Sequence, residues 1–261
     1  MGKKIYLTVI WTVALLAVIF SCGIRFMGWF SNTGTFRSSS NHTNVEDVGS
    51  GALSDTVSVD EFTNVKVSVG ACELKFATSN DEYKVEYSAT KEKLVPKIGV
   101  KDGTLYVDQD NIKLKDATGT DSLKLTVTIY VPANTTLENI DLDIGAGDLN
   151  LENLSGENFD VDLGAGDFDL KNSTFENISV DCGAGDIFME NNTFDSLDID
   201  AGTGDVKLNC LGDLSQYTFD IDNGVGETRV GGEKVKNEYK SGSGAKKIDI
   251  DLGIGEVNII Q

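Results

Sequence analysis

Histidine is almost absent from this chain, with His42 the only one among 261 residues. His42 lies in a polar segment away from every repeat described below. Catalytic triads and Cys–His pairs both depend on a histidine next to the nucleophile, so the sequence excludes them.

Cysteine is also scarce, with residues at Cys22, Cys72, Cys182 and Cys210 and no CxxC spacing. This is not the framework of a disulfide-rich domain, and a zinc site is not expected without neighbouring histidines. Cys182 occupies a position held by Ile144, Leu163 and Ala201 in other repeats, which predicts a small buried side chain. A bond between Cys182 and Cys210 stays open at this point.

Proline occurs twice, whereas glycine occurs 28 times, and residues 53–136 show no helical apolar period. Many tight turns between strands are therefore expected. Short alternating segments predict strands in residues 53–136, with a hairpin that turns at Asp102-Gly103. We also expect "TNVKVSVG" and "ELKFAT" to pair with each other around "GACE", Gly70 to Glu73.

Basic residues are rare where acidic ones are most frequent. Residues 137–227 hold 22 acids and only two bases, Lys171 and Lys207, within a chain of net charge −20. This sign of charge opposes a nucleic-acid partner. Polysaccharide-cleaving β-helices carry basic groups and bulky, irregular insertions in their grooves, which this region lacks. We therefore expect a non-enzymatic protein.

An uncharged apolar run, Ile5 to Ile24, follows Lys3 and Lys4. Twenty residues of helix span roughly 30 Å, the thickness of a bilayer core. Residues 1–30 are therefore predicted to be a membrane anchor with a transmembrane helix at about 5–24. The lysines favour a cytoplasmic N-terminus, which places the remainder outside the cell. The alternative is a lipoprotein signal that ends at Cys22.

The polar residues 31–52, rich in Ser, Thr, Asn and Gly, predict a flexible tether. The ectodomain is expected to comprise residues 53–261, with regular repeats in 137–261. The first glycine of a Gly-x-Gly-Asp or Gly-x-Gly-Glu motif recurs in steps of 19, 19, 19, 22 and 29 residues. We interpret the longer steps as insertions in one loop. "GACE" is a candidate degraded copy, because its Gly70 precedes Gly145 by close to four repeat periods.

Apolar and acidic residues alternate before each motif, and the alternation changes parity after it. This predicts two strands joined by a corner, with a second corner at Asn153, Asn172 and Asn191. Two strands per 19-residue coil give an all-β protein of the β-solenoid class. The motif glycines are predicted to be structural turn residues, because a crowded corner requires positive φ or leaves no room for a Cβ. They are Gly145, Gly147, Gly164, Gly166, Gly183, Gly185, Gly202 and Gly204.

Carboxylates at equivalent positions should stack about 4.8 Å apart and repel each other. Oxygen-rich ladders suit Ca²⁺, so calcium is one hypothesis for this repulsion. The other is that outward acids only keep a long sheet soluble. The candidate calcium ligands are Asp148, Asp167, Asp186 and Asp205.

The order of "NVKVSVGACELKF", "VKDGTLYV", "IYVP" and the "GAGD" coils resembles the bacterial putative-adhesin domain family. The resemblance covers about Leu53 to Gln261. It implies a β-solenoid ectodomain tethered outside the cytoplasm and often linked with envelope stress. The family has no agreed biochemical activity, so the resemblance supplies no site residues.

These observations predict an adhesin-like binding or scaffold module of the bacterial envelope, anchored in the cell membrane by one helix. Its expected partners are cationic envelope components or peptides, or other envelope proteins. The alternative is a cation or cationic-peptide sensor that works through an acidic solenoid face. An envelope-glycan enzyme is the third hypothesis.

Overall fold

The computed structural model describes residues 49–109, 124–133 and 135–261. Within these ranges the long elements are all strands, and the helices are single 3-10 turns at Glu92–Leu94 and Leu214–Gln216. The predicted transmembrane helix, Cys22 and residues 31–48 of the predicted tether lie outside the described residues. In the part that is described, no helix has the length and apolar character needed to cross a membrane.

Among the described residues, seven strands precede the repeats, and fourteen form the repeats and the C-terminal cap. The first seven are β1 (Ser54–Ser58), β2 (Asn64–Ala71), β3 (Glu73–Ser79), β4 (Lys84–Ala89), β5 (Lys97–Lys101), β6 (Thr104–Asp108) and β7 (Leu125–Pro132). The next seven are β8 (Leu137–Ala146), β9 (Leu149–Glu152), β10 (Gly156–Ala165), β11 (Phe168–Lys171), β12 (Asn177–Ala184), β13 (Ile187–Asn192) and β14 (Ser196–Thr203). The last seven are β15 (Val206–Cys210), β16 (Tyr217–Val225), β17 (Thr228–Val230), β18 (Glu233–Val235), β19 (Glu238–Ser241), β20 (Lys246–Ile254) and β21 (Val257–Ile260).

These strands form two sheets that enclose one core. The ten-stranded sheet has the order β19-β16-β20-β14-β12-β10-β8-β2-β6-β5. The eleven-stranded sheet has the order β1-β4-β7-β3-β9-β11-β13-β15-β21-β17-β18. Each coil contributes one strand to each sheet, so the fold is all-β and solenoid-like.

The register between neighbouring coils follows the repeat period. Phe159 in β10 pairs with Ile140 in β8 and with Ile178 in β12, in parallel. The same apolar column is therefore repeated at every level. One such inner column is at most 1% exposed throughout: Leu142, Val161, Val180, Ile199, Ile250 and Ile221. Full burial of each such side chain contributes roughly 1.5–3 kcal/mol, so stacking of identical columns stabilises the fold.

The region around "GACE" is a coil of the solenoid, and the expected pairing of its two strands was wrong. β2 and β3 lie in different sheets, and β2 pairs in parallel with β8, Val65 opposite Ile140. Ala71 lies opposite Ala146, which is the register that the motif alignment requires. The degraded repeat copy is therefore confirmed, because "GACE" turns the chain from one sheet to the other as the regular motifs do.

The last two repeats do not stack in chain order, which corrects our interpretation of the longer steps. β20 pairs with β14, Leu197 opposite Ile248, and also with β16, Phe219 opposite Ile248. The C-terminal coil therefore lies between its two predecessors. The 22-residue step from Gly202 to Gly224 is three residues longer than the repeat period, because the chain passes over the position of one coil before β16 begins. Two coil spacings are about 9.6 Å, and three extended residues span about 10 Å.

Antiparallel strands cover both ends of the parallel stack. At one end β5 pairs with β6 through the Asp102-Gly103 turn, where both residues have positive φ, so the predicted hairpin is confirmed. At the other end β18 pairs with β17, and β19 pairs with β16. In this outermost coil Asn223 replaces an apolar core residue and donates to Thr228. These strands cap the solenoid, because they pair with backbone N–H and C=O groups that the end coils would otherwise expose.

Candidate functional site

The outer surface of the ten-stranded sheet carries two columns of aspartates over six adjacent strands, β8, β10, β12, β14, β20 and β16. Residues two apart in a strand point to the same side, so both columns face outward beside each other. Ser179 occupies one of the twelve positions. We call the other eleven residues the acidic face: Asp141, Asp143, Asp160, Asp162, Asp181, Asp198, Asp200, Asp249, Asp251, Asp220 and Asp222.

Among the described residues, the ion pairs of the acidic face all involve the same one of the two columns. Lys66 pairs with Asp141, Lys247 with Asp249 at 2.6 Å, and Lys240 with Asp220 at 2.7 Å. In the other column the hydroxyl of Ser68 donates to Asp143 at 3.4 Å. No basic side chain in the described part of the chain forms an ion pair with Asp162, Asp181 or Asp200.

Partial burial, together with repulsion between neighbouring aspartates, raises the pKa of several of these carboxyls. Partial desolvation raises the pKa of Asp181 to about 6, and repulsion from Asp162 and Asp200 adds to the effect. The same causes, desolvation before repulsion from neighbouring aspartates, raise the pKa values of Asp143, Asp160, Asp162 and Asp251. The raised pKa values mean that these carboxyls bind protons more readily than isolated aspartates do, and that a nearby positive charge would stabilise their ionised form.

The outer surface of the eleven-stranded sheet differs in composition at the same coils. Lys171 and Lys207 flank the half-buried ring of Phe188, with their Nζ atoms 5.0 Å and 5.4 Å from its centroid. Asp169 pairs with Lys171 at 3.4 Å. We call this surface the mixed face: Glu152, Asp169, Lys171, Phe188, Glu190 and Lys207.

The predicted turn glycines form what we call the glycine corner, where successive coils approach each other most closely. A Cβ on Gly166 would lie 2.1 Å from the carbonyl oxygen of Gly147, and one on Gly185 would lie 1.9 Å from that of Gly166. The second glycine of each motif has a φ between +134° and +149° at Gly147, Gly166, Gly185 and Gly204. The first glycine of each motif is also crowded. A Cβ on Gly164 would lie 2.4 Å from the carbonyl oxygen of Gly145, the first glycine of the preceding coil, and the same distance is 2.5 Å for Gly183 and for Gly202.

The aspartate that follows each glycine pair bonds to the next coil. Oδ1 of Asp148 accepts from the backbone N–H of Asp167 at 3.2 Å. The same contact recurs from Asp167 to Asp186 at 3.0 Å, and from Asp186 to Asp205 at 2.8 Å. Asp205 then accepts from the N–H of Glu256 at 2.8 Å. We call this series the aspartate ladder. It supplies charge-assisted hydrogen bonds where the corner interrupts the strands.

The ladder contains the four candidate calcium ligands, and each of them commits one carboxylate oxygen to a backbone N–H. Across the described residues, no group of three or more His, Cys, Asp or Glu side chains is placed to hold a metal ion. Calcium binding at these four aspartates stays a prediction.

The second corner, which we call the asparagine corner, places Asn153, Asn172 and Asn191 in the left-handed region with φ of 59°, 51° and 56°. The prediction from the asparagine column is confirmed. Sequence reasoning missed a separate ladder of exposed amides on the ten-stranded sheet. In it Asn139 donates to Asn64, Asn158 to Asn139, and Asn177 to Asn158, at 2.6–2.9 Å. The sequence does contain a pattern that indicates this ladder, because Asn139, Asn158 and Asn177 are spaced by the 19-residue repeat period.

Cys72, Cys182 and Cys210 are free, buried thiols, so the pair left open between Cys182 and Cys210 is not formed. Burial raises the pKa of Cys72 to about 12 and the pKa values of Cys182 and Cys210 to about 11. Thiols of this kind are poor nucleophiles. Cys182 is 3% exposed, which confirms its predicted role as a small core residue.

A sequence profile described as Toastrack DUF4097 matches residues 62–253 of this chain. The chain belongs to the Toastrack family. The match confirms the resemblance derived from the repeats. Among curated proteins, none matches this Toastrack chain.

Several solved structures are similar to this Toastrack domain. A putative cell adhesion protein from Clostridium sporogenes is 18% identical, with a TM-score of 0.48, and the match covers 80% of this chain and 98% of the other. A putative adhesin from Bacteroides fragilis is 15% identical, with a TM-score of 0.37 and coverage of 79% and 96%. A putative lipid binding protein from Parabacteroides distasonis is 11% identical, with a TM-score of 0.33 and coverage of 79% and 92%.

Proposed function

We propose that this Toastrack domain is a non-catalytic binding or scaffold module of the bacterial envelope that attracts positively charged partners to its acidic face. In this proposal the predicted helix at 5–24 anchors it in the cell membrane, and residues 53–261 lie outside the cell. The partners are cationic peptides or cationic envelope components.

The observation that carries the proposal is the acidic face itself. Burial in the stack comes from the inner apolar columns, and the mixed face shows that outward positions tolerate lysine and phenylalanine. Eleven aspartates on one surface add repulsion that folding does not require. A surface of one sign attracts and concentrates ligands of the other sign, at rates that fall with ionic strength.

The non-catalytic part rests on the repetition of the carboxylates. Every coil from β8 to β16 presents an outward pair or a single aspartate at the same positions. Paired catalytic carboxyls work at one place where a substrate is held between them. A repeated surface favours distributed binding over one reaction centre.

A binding experiment with a matched control tests the role of the face. The probe is a fluorescent lysine decamer, titrated into the full chain in a non-ionic detergent and followed by anisotropy at 50 and 500 mM NaCl. We expect binding that weakens at least tenfold at the higher salt. Replacement of Asp162, Asp181 and Asp200 by Asn should weaken it at least fivefold at the lower salt.

The control removes three charges from the mixed face: Glu152→Gln, Asp169→Asn and Glu190→Gln. It lowers the net negative charge by the same amount, so we expect less than a twofold change. Equal losses in both variants would mean that net charge alone attracts the peptide. Binding that salt does not alter would contradict the electrostatic proposal.

The proposed topology has its own test. Protease added to intact cells or spheroplasts should cut within the predicted tether and release a fragment of about 210 residues, because polar connecting segments are preferred cleavage sites. Cleavage only after cell lysis would place residues 53–261 in the cytoplasm.

A further inference from the structure

The position of the C-terminal coil in the stack is unusual for a repeat protein. β20 and β21 follow β16 and β17 in the chain, yet they lie between the coil of β14 and β15 and the coil of β16 and β17. We call the space that they occupy the C-terminal slot. The segment that fills it, residues 246–261, is bonded on both sides in both sheets.

The segment fits the slot through the repeat pattern alone. Its inward side chains are at most 3% exposed: Ile248, Ile250, Leu252, Val257 and Ile259. Its outward residues Asp249 and Asp251 continue the acidic columns, and Glu256 continues the aspartate ladder. All of these contacts are made with the two neighbouring coils, so they depend on the sequence of the segment and not on its connection to β19.

That connection has the composition of a hinge. Residues 241–245 have the sequence "SGSGA", and four of these five residues are exposed. The linker crosses the start of β16, where Thr218 donates to the carbonyl of Gly244 at 2.9 Å. A Cβ on Gly244 would lie 2.0 Å from the backbone of Gln216. The linker therefore contacts residues 211–216, the segment that connects β15 to β16. Glycine- and serine-rich linkers of this kind adopt many other paths.

We propose that the C-terminal slot accepts the same segment from a second copy of this chain, which gives a strand-swapped dimer. In the exchange each segment keeps every inter-coil hydrogen bond and every buried side chain. Only the path of the linker and the entropy of association differ between the two forms. Exchange of identical elements is a low-cost route to dimers for this reason.

A disulfide between register partners tests the exchange in the full chain. Asp198 in β14 lies opposite Asp249 in β20, and both face outward. The double variant Asp198→Cys and Asp249→Cys, with Cys22→Ser to remove another thiol, is held at high protein concentration just below its melting temperature. It is then cooled, oxidised and run on a non-reducing gel. The swapped form gives a covalent dimer whose fraction rises with protein concentration, whereas the unswapped form gives an internally linked monomer.

The two single-cysteine variants are the controls for random crosslinks, and we expect at least fivefold less dimer from each. Only internally linked monomer at every concentration would overturn the proposal. A dimer fraction equal to that of the controls would overturn it as well.

Linker length provides a second test that does not depend on the disulfide. Deletion of Ser243 and Gly244 shortens the return path across β16, so we expect the dimer fraction by light scattering to rise at least fivefold. Insertion of Gly-Ser-Gly-Ser after Ser243 should lower it. If the shortened chain fails to fold, the lengthened chain still decides, because an unchanged dimer fraction there contradicts exchange through this linker.

Discussion

At the glycine corner the backbones of successive coils lie so close that a Cβ would overlap a carbonyl oxygen, whereas the asparagine corner is turned by three residues with left-handed φ and side chains. The strand that enters the glycine corner carries the acidic face, and the strand that enters the asparagine corner carries the mixed face. Both corners reverse the chain once per coil. At the glycine corner lack of space excludes a Cβ, and the second glycine of each motif also has positive φ, whereas at the asparagine corner backbone conformation alone favours the residue.

Replacement of Gly185 by Val should have the largest effect on this comparison. The new Cβ would lie 1.9 Å from backbone, at a φ of +149°. We expect a loss of about 4 kcal/mol or more in the free energy of unfolding, measured by urea denaturation. The matched control is Gly232→Val, which has positive φ but nothing within 4 Å of its Cβ. Similar losses in the two variants would show that conformation, and not crowding, determines the glycine corner.

Replacement of Asn172 by Val should have an intermediate effect. A β-branched residue at φ of 51° costs about 1–2 kcal/mol, and the contact from Asn191 is lost with the amide. Asn172→Gly relieves the conformational strain and should change the free energy of unfolding by less than about 0.5 kcal/mol. If the two variants lost similar amounts of stability, the amide contact, which both of them remove, would matter more than the backbone conformation.

Replacement of Asp186 should have a smaller effect, and it separates the hydrogen bond from the charge. Asp186→Ala leaves the N–H of Asp205 without its side-chain acceptor and should cost about 1 kcal/mol. Asp186→Asn keeps an acceptor oxygen and should cost less than half as much. Thermal melts with chelator and with millimolar Ca²⁺ complete the test, because a calcium site predicts that both variants lose a calcium-dependent rise in melting temperature.

The smallest expected effect concerns pH and the acidic face. Because the pKa of Asp181 is raised in the folded state, its contribution to stability is present at low pH and is lost as the pH rises through about 6. The melting temperature should therefore rise by a few degrees between pH 7.5 and pH 5, and this rise should shrink in Asp181→Asn. Below about pH 4 the trend should reverse, since hydrogen bonds from Lys75 to Glu73 and from Tyr130 to Glu86 lower the pKa values of these two carboxyls. A flat profile in the parent chain would contradict the crowding of these carboxyls.

The coil, its two corners and its inner columns could be predicted because each is encoded within one repeat. Alternation identifies Leu142 and Val161 as core, and the left-handed preference of asparagine identifies Asn172 as a corner. The order of the last coils could not be predicted, because β16 and β20 carry nearly the same pattern and either fits against β14. For the same reason a repeat copy such as "GACE" resembles a hairpin when its neighbours in space lie several repeats away along the chain.

The acidic columns of the candidate site were also visible in the sequence, since Asp143, Asp162 and Asp181 recur at the repeat period. The aspartate ladder was visible as a column, but its bonds to backbone N–H groups were not. Those bonds depend on how far each corner is displaced from the next, which is a property of stacked coils. Contacts such as Lys66 with Asp141 join residues that are distant in the chain and follow from the same stacking.

The acidic face also has translational symmetry, because equivalent aspartates recur at each coil with a spacing of about 4.8 Å. An extended cationic chain bound there could shift by one coil and find nearly the same charges. Each doubling in the number of equivalent positions favours the bound state by RT ln 2, about 0.4 kcal/mol. A ligand on such a surface would exchange between positions while it remains bound, and its residence time would depend on its length more than on its sequence.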